Sequence, residues 1–245
     1  MGDRCGWPAR RRAACFNPTM AFSRSPPRTA ARRRLLFASA AALALPALNV
    51  RASRPAAMAP MTDGPFYPSP SWRSRGPLSG DWDADLTRVQ RGGRVLVARG
   101  EHLGLELLVA DADGRSIDGV AVEIWQCDAL AQYRHPRVAL QDGAWDDGFQ
   151  GFGEARSGRD GRLALRTIRP VAYPGRTPHI HVKLRHASFG EFTSQLFVAG
   201  ERANERDFLW RAVSESQRPA LAMQLQPAST DGLRWTARHT LVLPS

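Results

Sequence analysis

Residues 173–181 read Tyr-Pro-Gly-Arg-Thr-Pro-His-Ile-His and place a phenol, a guanidinium and two imidazoles within nine positions. His179 and His181 run on into Val182-Lys183-Leu184, an alternation that predicts a β-strand with one wet face and one dry face. On such a strand residues i and i+2 share a face, about 6.6 Å apart at their Cα atoms. One metal ion can then take a nitrogen from each. Two histidines on a wet face can equally serve no purpose, so the neighbouring residues have to decide.

Working outward, Val95–Ala98, Leu103–Ala110, Val120–Gln126, Leu163–Ile168, Phe192–Val198 and Trp235–Val242 read as further strands. Asp113-Gly114, Asp118-Gly119 and Asp160-Gly161 supply the residues that hairpins and tight connections require. The pattern predicts an all-β fold, a β-sandwich of mostly antiparallel strands with long loops and one short helix. That helix is expected within Asn204–Ser216, where Phe208, Leu209 and Val213 stand at helix-compatible positions. Asp111 and Asp113 suggest a calcium loop, but its twelfth position holds Val122 instead of Glu. Trp125 and Phe197 are expected in the core, and Tyr67 is expected near the mouth of any site.

The chain of 245 residues has a net charge of +11, which by itself points to an acidic partner such as nucleic acid. Residues 1–54, however, hold eleven arginines and one acid, so the remainder is nearly neutral and the nucleic-acid class drops out. Arg32-Arg33-Arg34 precedes an apolar run from Leu35 to Leu48, which is too short to span a bilayer but suits a signal peptide. The paired arginines resemble a twin-arginine export signal, with Met20 as a plausible true start. The expected organisation is a leader over 1–54, a linker and N-terminal arm over 55–92, and the sandwich over 93–245. Export to the periplasm or beyond follows, with no lasting membrane anchor. Cys5 and Cys15 lie in the leader, leaving Cys127 in an apolar strand as a small core residue.

Tyr133 stands just past an apolar strand in Trp125-Gln126-Cys127-Asp128-Ala129-Leu130-Ala131-Gln132-Tyr133-Arg134-His135-Pro136, and Tyr173 precedes His179 by six residues. These segments, with Thr167-Ile168-Arg169-Pro170 and Asp63-Gly64-Pro65-Phe66-Tyr67, resemble the intradiol ring-cleavage dioxygenases, the non-haem iron(III) family that includes protocatechuate 3,4-dioxygenase. The resemblance extends to about Val198. It implies four iron ligands, Tyr133, Tyr173, His179 and His181, with Tyr173 and His181 on the axial line. It also implies that Arg176 stabilises anionic charge on the ring and that Gln195 orients ligands or substrate.

The resemblance implies a catechol and O2 as substrates, a cis,cis-muconate-type diacid as product, and Tyr173 as a base that leaves the metal when substrate binds. A homo-oligomer is expected, with a second, related subunit as a possibility. Phenolate and imidazole are good ligands for ferric ion, independently of the family name. Gly175 replaces an aromatic residue that protocatechuate enzymes often carry after Tyr-Pro, which suggests a more open pocket wall. His102, His135, His186 and His239 match no family role.

Two other classes share parts of the pattern. A cupin or a zinc hydrolase also uses His-x-His, the latter with His186 or His239 as third ligand. An exported β-sandwich binding module would use exposed tryptophans such as Trp72 and Trp82.

Overall fold

The computed structural model describes residues 54–75, 80–138, 145–230 and 232–245, without the side chains of Ser74 and Arg75. Of the expected leader, all but Arg54 lies outside the described residues. The strands are β1 (Arg88–Arg91), β2 (Arg94–Val97), β3 (His102–Ala110), β4 (Ala121–Trp125), β5 (Phe152–Arg156), β6 (Arg162–Ile168), β7 (His179–His186), β8 (Gly190–Val198), β9 (Ala222–Met223), β10 (Gln226–Pro227) and β11 (Trp235–Val242). They form a small β1-β2 hairpin, a four-stranded sheet in the order β10-β11-β3-β6 and a five-stranded sheet in the order β5-β4-β7-β8-β9. Among the described residues, all pairings are antiparallel except β11 with β3 and β8 with β9.

The core is shared by the two larger sheets. Leu103, Leu105 and Leu107 of β3 and Leu163 and Leu165 of β6 join Val122 and Ile124 of β4 and Ile180, Val182 and Leu184 of β7 in one buried cluster. Each such side chain, removed from water, contributes about 1.5–3 kcal/mol. The sandwich expected from the strand pattern is thus present. No helix among the described residues is long and apolar enough to cross a membrane.

Several local expectations are corrected. The three Asp-Gly pairs make the expected tight turns, with positive φ at Gly114, Gly119 and Gly161; Asp113-Gly114 folds Ser116 back antiparallel to Ala110, but the connections as a whole lead from β3 to β4 and from β5 to β6, strands of different sheets. The helix expected within Asn204–Ser216 is a 3-10 turn at Arg202–Arg206 and a short α-helix, Phe208–Ala212. Asp207 breaks it, accepting bonds from Leu209 N and Trp210 N as an N-cap. A further helix, Pro70–Arg75, went unread, as did β1 and β5, whose Arg-Val-Gln-Arg and Phe-Gly-Glu-Ala-Arg carry little apolar periodicity. Within the expected linker, Met58 and Ala59 are buried in the core, and Met58 N donates to Val242 O at 2.9 Å.

The face of β7 expected to be wet is also buried: His179 is 2% exposed, His181 3% and Lys183 5%. Beside this face, a second cluster gathers Trp125, Cys127, Tyr133 and Phe152 with Phe66, Tyr67, Trp72, Trp82 and Tyr173. Trp72 and Trp82 lie within it, against Phe152 at ring-centroid separations of 5.5 and 4.3 Å, so they offer no exposed binding platform.

Candidate metal centre

The site is assembled on the outer face of the five-stranded sheet. Strand alternation sends Ile180 into the core and His179 and His181 to the other side, with ring centroids 4.9 Å apart. Register places Trp125 of β4 and Gln195 of β8 on either side of His181. The Trp125 indole stacks on the His181 ring at 4.7 Å and 14°. Trp125 is buried in the second cluster, as expected of a core residue, and its indole also walls the site.

Tyr173 comes from a tight turn. Arg176 N donates to Tyr173 O at 2.9 Å, and Gly175 at the third position has φ +81°, a conformation that favours glycine. Thr177 then anchors the segment, its hydroxyl bonded to Asn204 Oδ1 at 2.8 Å. Tyr133 arrives on the loop after β4. Asp128 shapes that loop, its Oδ1 accepting from Leu130 N and Gln132 N and its Oδ2 from Asp146 N. Ala131 adopts φ +62° within it.

The four expected ligands therefore converge. Tyr133 lies 5.6 Å from Tyr173 and 6.2 Å from His181, and Tyr173 lies 5.5 Å from His179, between ring centroids. Tyr133 Oη and His179 Nε2 are buried without a hydrogen-bond partner among the described residues. His179 Nδ1–H donates to Thr177 O at 2.6 Å, a tautomer that leaves the Nε2 lone pair free.

Electrostatics agree with that geometry. Burial, and next the Arg176 charge, pull His179 down to about 4; burial, then His179 and Arg176, hold His181 well below its ordinary value. Both imidazoles are therefore neutral. Burial, and after it Tyr173, push the Tyr133 phenol well above its ordinary value near 10. Only a strong positive charge would ionise it there.

Arg176 and Gln195 stand together beside Tyr173 and His181. Arg176 Nη2 donates to Gln195 Oε1 at 2.6 Å, Nη1 faces Tyr173 Oη at 3.4 Å, and Nε donates to Asp207 at 2.8 Å. Gln195 Nε2 is 3.3 Å from His181 Nδ1. Burial pushes the Asp207 carboxyl up, but the Arg176 hydrogen bond and backbone donors outweigh it and hold it below its usual value. Asp207, Asp128 and Phe66, which stacks on Tyr133 at 4.6 Å, escaped sequence reasoning. A polar residue or aromatic in a loop carries no signal of the distant partner it will meet.

The competing ligand sets are not assembled. His239 lies on β11 in the other sheet, bonded to Ala220 O, and His186 sits at the far end of β7 beside Ser188. His102 faces Ala98 O. Among the described residues no group of three or more His, Cys, Asp and Glu side chains is placed to hold a metal ion. The two histidines need the phenols. Two hard oxygens and two imidazole nitrogens fit ferric iron, and the unpartnered Tyr133 Oη and His179 Nε2 fit a ligand between them. Cys127 is buried as expected, its thiol pushed up to about 12 by burial.

The family model described as Dioxygenase matches residues 68–240. The protocatechuate 3,4-dioxygenase beta chain of Burkholderia cepacia is 30% identical over 164 residues, covering 62% of this chain and 67% of that one. The 6-chlorohydroxyquinol 1,2-dioxygenase of Cupriavidus pinatubonensis is 30% identical over 128 residues, covering 45% of this chain and 44% of that relative. Among solved structures, the dioxygenase domain of a dioxygenase carbohydrate-binding protein fusion from Streptomyces sp. SirexAA-E aligns with a TM-score of 0.52 and 27% identity, over 77% of this chain and 98% of that one. With a family match running from the N-terminal arm to β11, the chain belongs to the intradiol ring-cleavage dioxygenases.

Proposed function

We propose that this protein is a non-haem iron(III) enzyme that cleaves a catechol between its two hydroxyl-bearing carbons, consuming O2 and yielding a cis,cis-muconate-type diacid. The observation that carries the reading is the convergence of two phenols and two imidazoles around the unpartnered Tyr133 Oη and His179 Nε2. Tyr133, Tyr173, His179 and His181 would hold the metal. Bound there, ferric iron supplies Lewis-acid activation of a catecholate toward O2 without an outside reductant.

The chain's own residues divide the remaining work. Tyr133 is fully buried and Tyr173 half-buried, so Tyr173 is the phenol a substrate can reach. As a phenolate, its Oη would take the proton of a catechol hydroxyl and become a neutral phenol. Arg176, held by Asp207 and Gln195, keeps a fixed cation beside Tyr173 Oη, where negative charge on the ring would develop. Gln195 links that cation to His181, while Trp125 and Phe66 exclude water from the imidazole and the phenol they cover.

On the same reading the chain is exported folded by its twin-arginine-type leader, and it works as a homo-oligomer.

The test is iron content and visible absorption of the purified protein, with catechol added anaerobically and then with O2. The expected result is near-stoichiometric iron, a phenolate-to-iron band that shifts with catechol, and a ring-opened diacid. A colourless protein that binds zinc alone, or no metal after iron reconstitution, would overturn the proposal.

A further inference from the structure

A cleft of about 310 Å³ opens beside Tyr173 and Arg176, lined also by Gly175, Thr177, Ala203, Arg206 and Asp207. Its wall is missing at one point for a reason set by the backbone. Gly175 occupies the positive-φ position of the Tyr173–Arg176 turn, and a Cβ built there would meet no atom within 4 Å. A residue other than glycine would be strained in the turn, so the gap is part of the turn itself.

The charges in the cleft are unequally committed. Asp207 is spent: Oδ2 accepts from Arg176 Nε and Thr177 N, and Oδ1 caps the Phe208–Ala212 helix. Arg176 is likewise engaged by Asp207 and Gln195. Arg206 is different. It is exposed, and among the described residues its guanidinium takes part in no hydrogen bond or ion pair. Beside it in the chain Phe208 is 63% exposed, with the Arg176 guanidinium 5.3 Å from its ring centroid. The cleft thus runs between Tyr173 and an unpaired cation, with the exposed Phe208 ring next to Asp207 in the chain.

We propose that this cleft receives the side arm of the substrate, and that the preferred class is ortho-dihydroxyaryl acids whose carboxylate is spaced from the ring by a short carbon chain. The spacer lies over Gly175 and the carboxylate pairs with Arg206. This selectivity rests on the dioxygenase reading above. Arg206 acts on binding alone, because a cation at the outer end of the cleft touches neither the dihydroxy edge nor O2. Its loss therefore raises KM and leaves kcat unchanged. For an exposed charge pair the effect is about five-fold.

The experiment compares catechol, 3,4-dihydroxybenzoate and 3,4-dihydroxyphenylpropionate with the iron-loaded wild type, Arg206→Gln and Arg206→Lys. It measures KM and kcat, and also anaerobic binding from the shift of the visible band. The expected result is tightest binding of the propionate, weakened about five-fold in R206Q, largely restored in R206K, and lessened by added salt, with catechol unchanged throughout. Cleavage of all three substrates with no selective loss in R206Q overturns the side-arm inference and leaves the dioxygenase reading standing. Failure of wild type to cleave any of them overturns both.

Discussion

The outer face of β7 carries two buried polar clusters that differ in one respect. Toward its C-terminal end, Lys183 Nζ is 2.7 Å from Asp63, while Arg185 pairs with Glu123, whose carboxylate also meets Arg73 at 2.7 Å and the Tyr67 hydroxyl at 2.7 Å. Tyr67, expected near the mouth of the site, belongs to this cluster. Each buried charge there has a partner within the protein. Toward the N-terminal end, Tyr133 Oη and His179 Nε2 have none among the described residues. Buried polar atoms are almost always satisfied. A strand that satisfies them at one end and leaves them open at the other marks the open end as a place for something the chain does not itself provide.

The two ends also depend on each other. The arm that reaches the charged cluster carries Gly64, where an added Cβ would lie 3.4 Å from His181 Cε1, and Phe66, stacked on Tyr133. Tyr67 packs edge-on against Trp125, which stacks on His181. The satisfied end clamps the segment that walls the open one.

The largest expected effect separates the ends by chemistry. Tyr133→Phe should lose iron and its visible band and lower catechol cleavage by more than about 100-fold, beyond the 10- to 100-fold typical of residues behind a ligand. A variant that keeps full iron and colour would break the comparison at its open end. Next is Glu123→Ala, which leaves the Arg73 and Arg185 guanidiniums facing each other, with side chains only 14% and 29% exposed. Breaking such a cluster costs about 3–5 kcal/mol when fully buried, so about 3 kcal/mol is expected here, read as a lower denaturant midpoint. Stability equal to wild type would show that the clamp carries no load.

An effect of similar size should appear with pH in the metal-free protein. His179 is held down to about 4, so below about pH 6.5 the unfolded chain binds protons that the folded one refuses. Stability is fully present above about 6.5 and falls toward pH 4, with about 3 kcal/mol from His179 at the lower limit. Denaturant titrations at pH 7 and 4.5 measure the slope, and a flat profile would mean that the imidazoles are not buried neutral. The smallest effect concerns the loop that brings Tyr133 in. Ala131→Gly removes a Cβ from φ +62° and should stabilise the protein by about 0.5–1 kcal/mol. A destabilised Ala131→Gly protein would show that the Ala131 methyl is needed where it stands.

Much of this is legible in the amino-acid order. His-x-His spacing put both imidazoles on one face because strand alternation is a local property, and β2, β3, β4, β6, β7, β8 and β11 were readable for the same reason. The polarity of that face was misread, since its cover comes from residues 63–73 and from the loop after β4, far away in the chain. Asp207 shows the same limit at one residue. Helical periodicity ran through it, but its carboxylate is committed to Arg176 and Thr177, thirty-one and thirty residues earlier.

By itself, then, the amino-acid order determined the strands, the shared face of His179 and His181, and the four residue types able to hold a hard trivalent ion. These follow from backbone geometry and donor chemistry, which act over a few residues or within a single side chain. Only the tertiary structure decided that the histidine face is dry, that Trp125 and Phe66 cover His181 and Tyr133, that Tyr173 is less buried than Tyr133, and that the Arg206 guanidinium stands uncommitted beside an open turn. Each of these depends on which distant segments come to lie against one another, and burial, pKa and hydrogen-bond partnership have no value until they do.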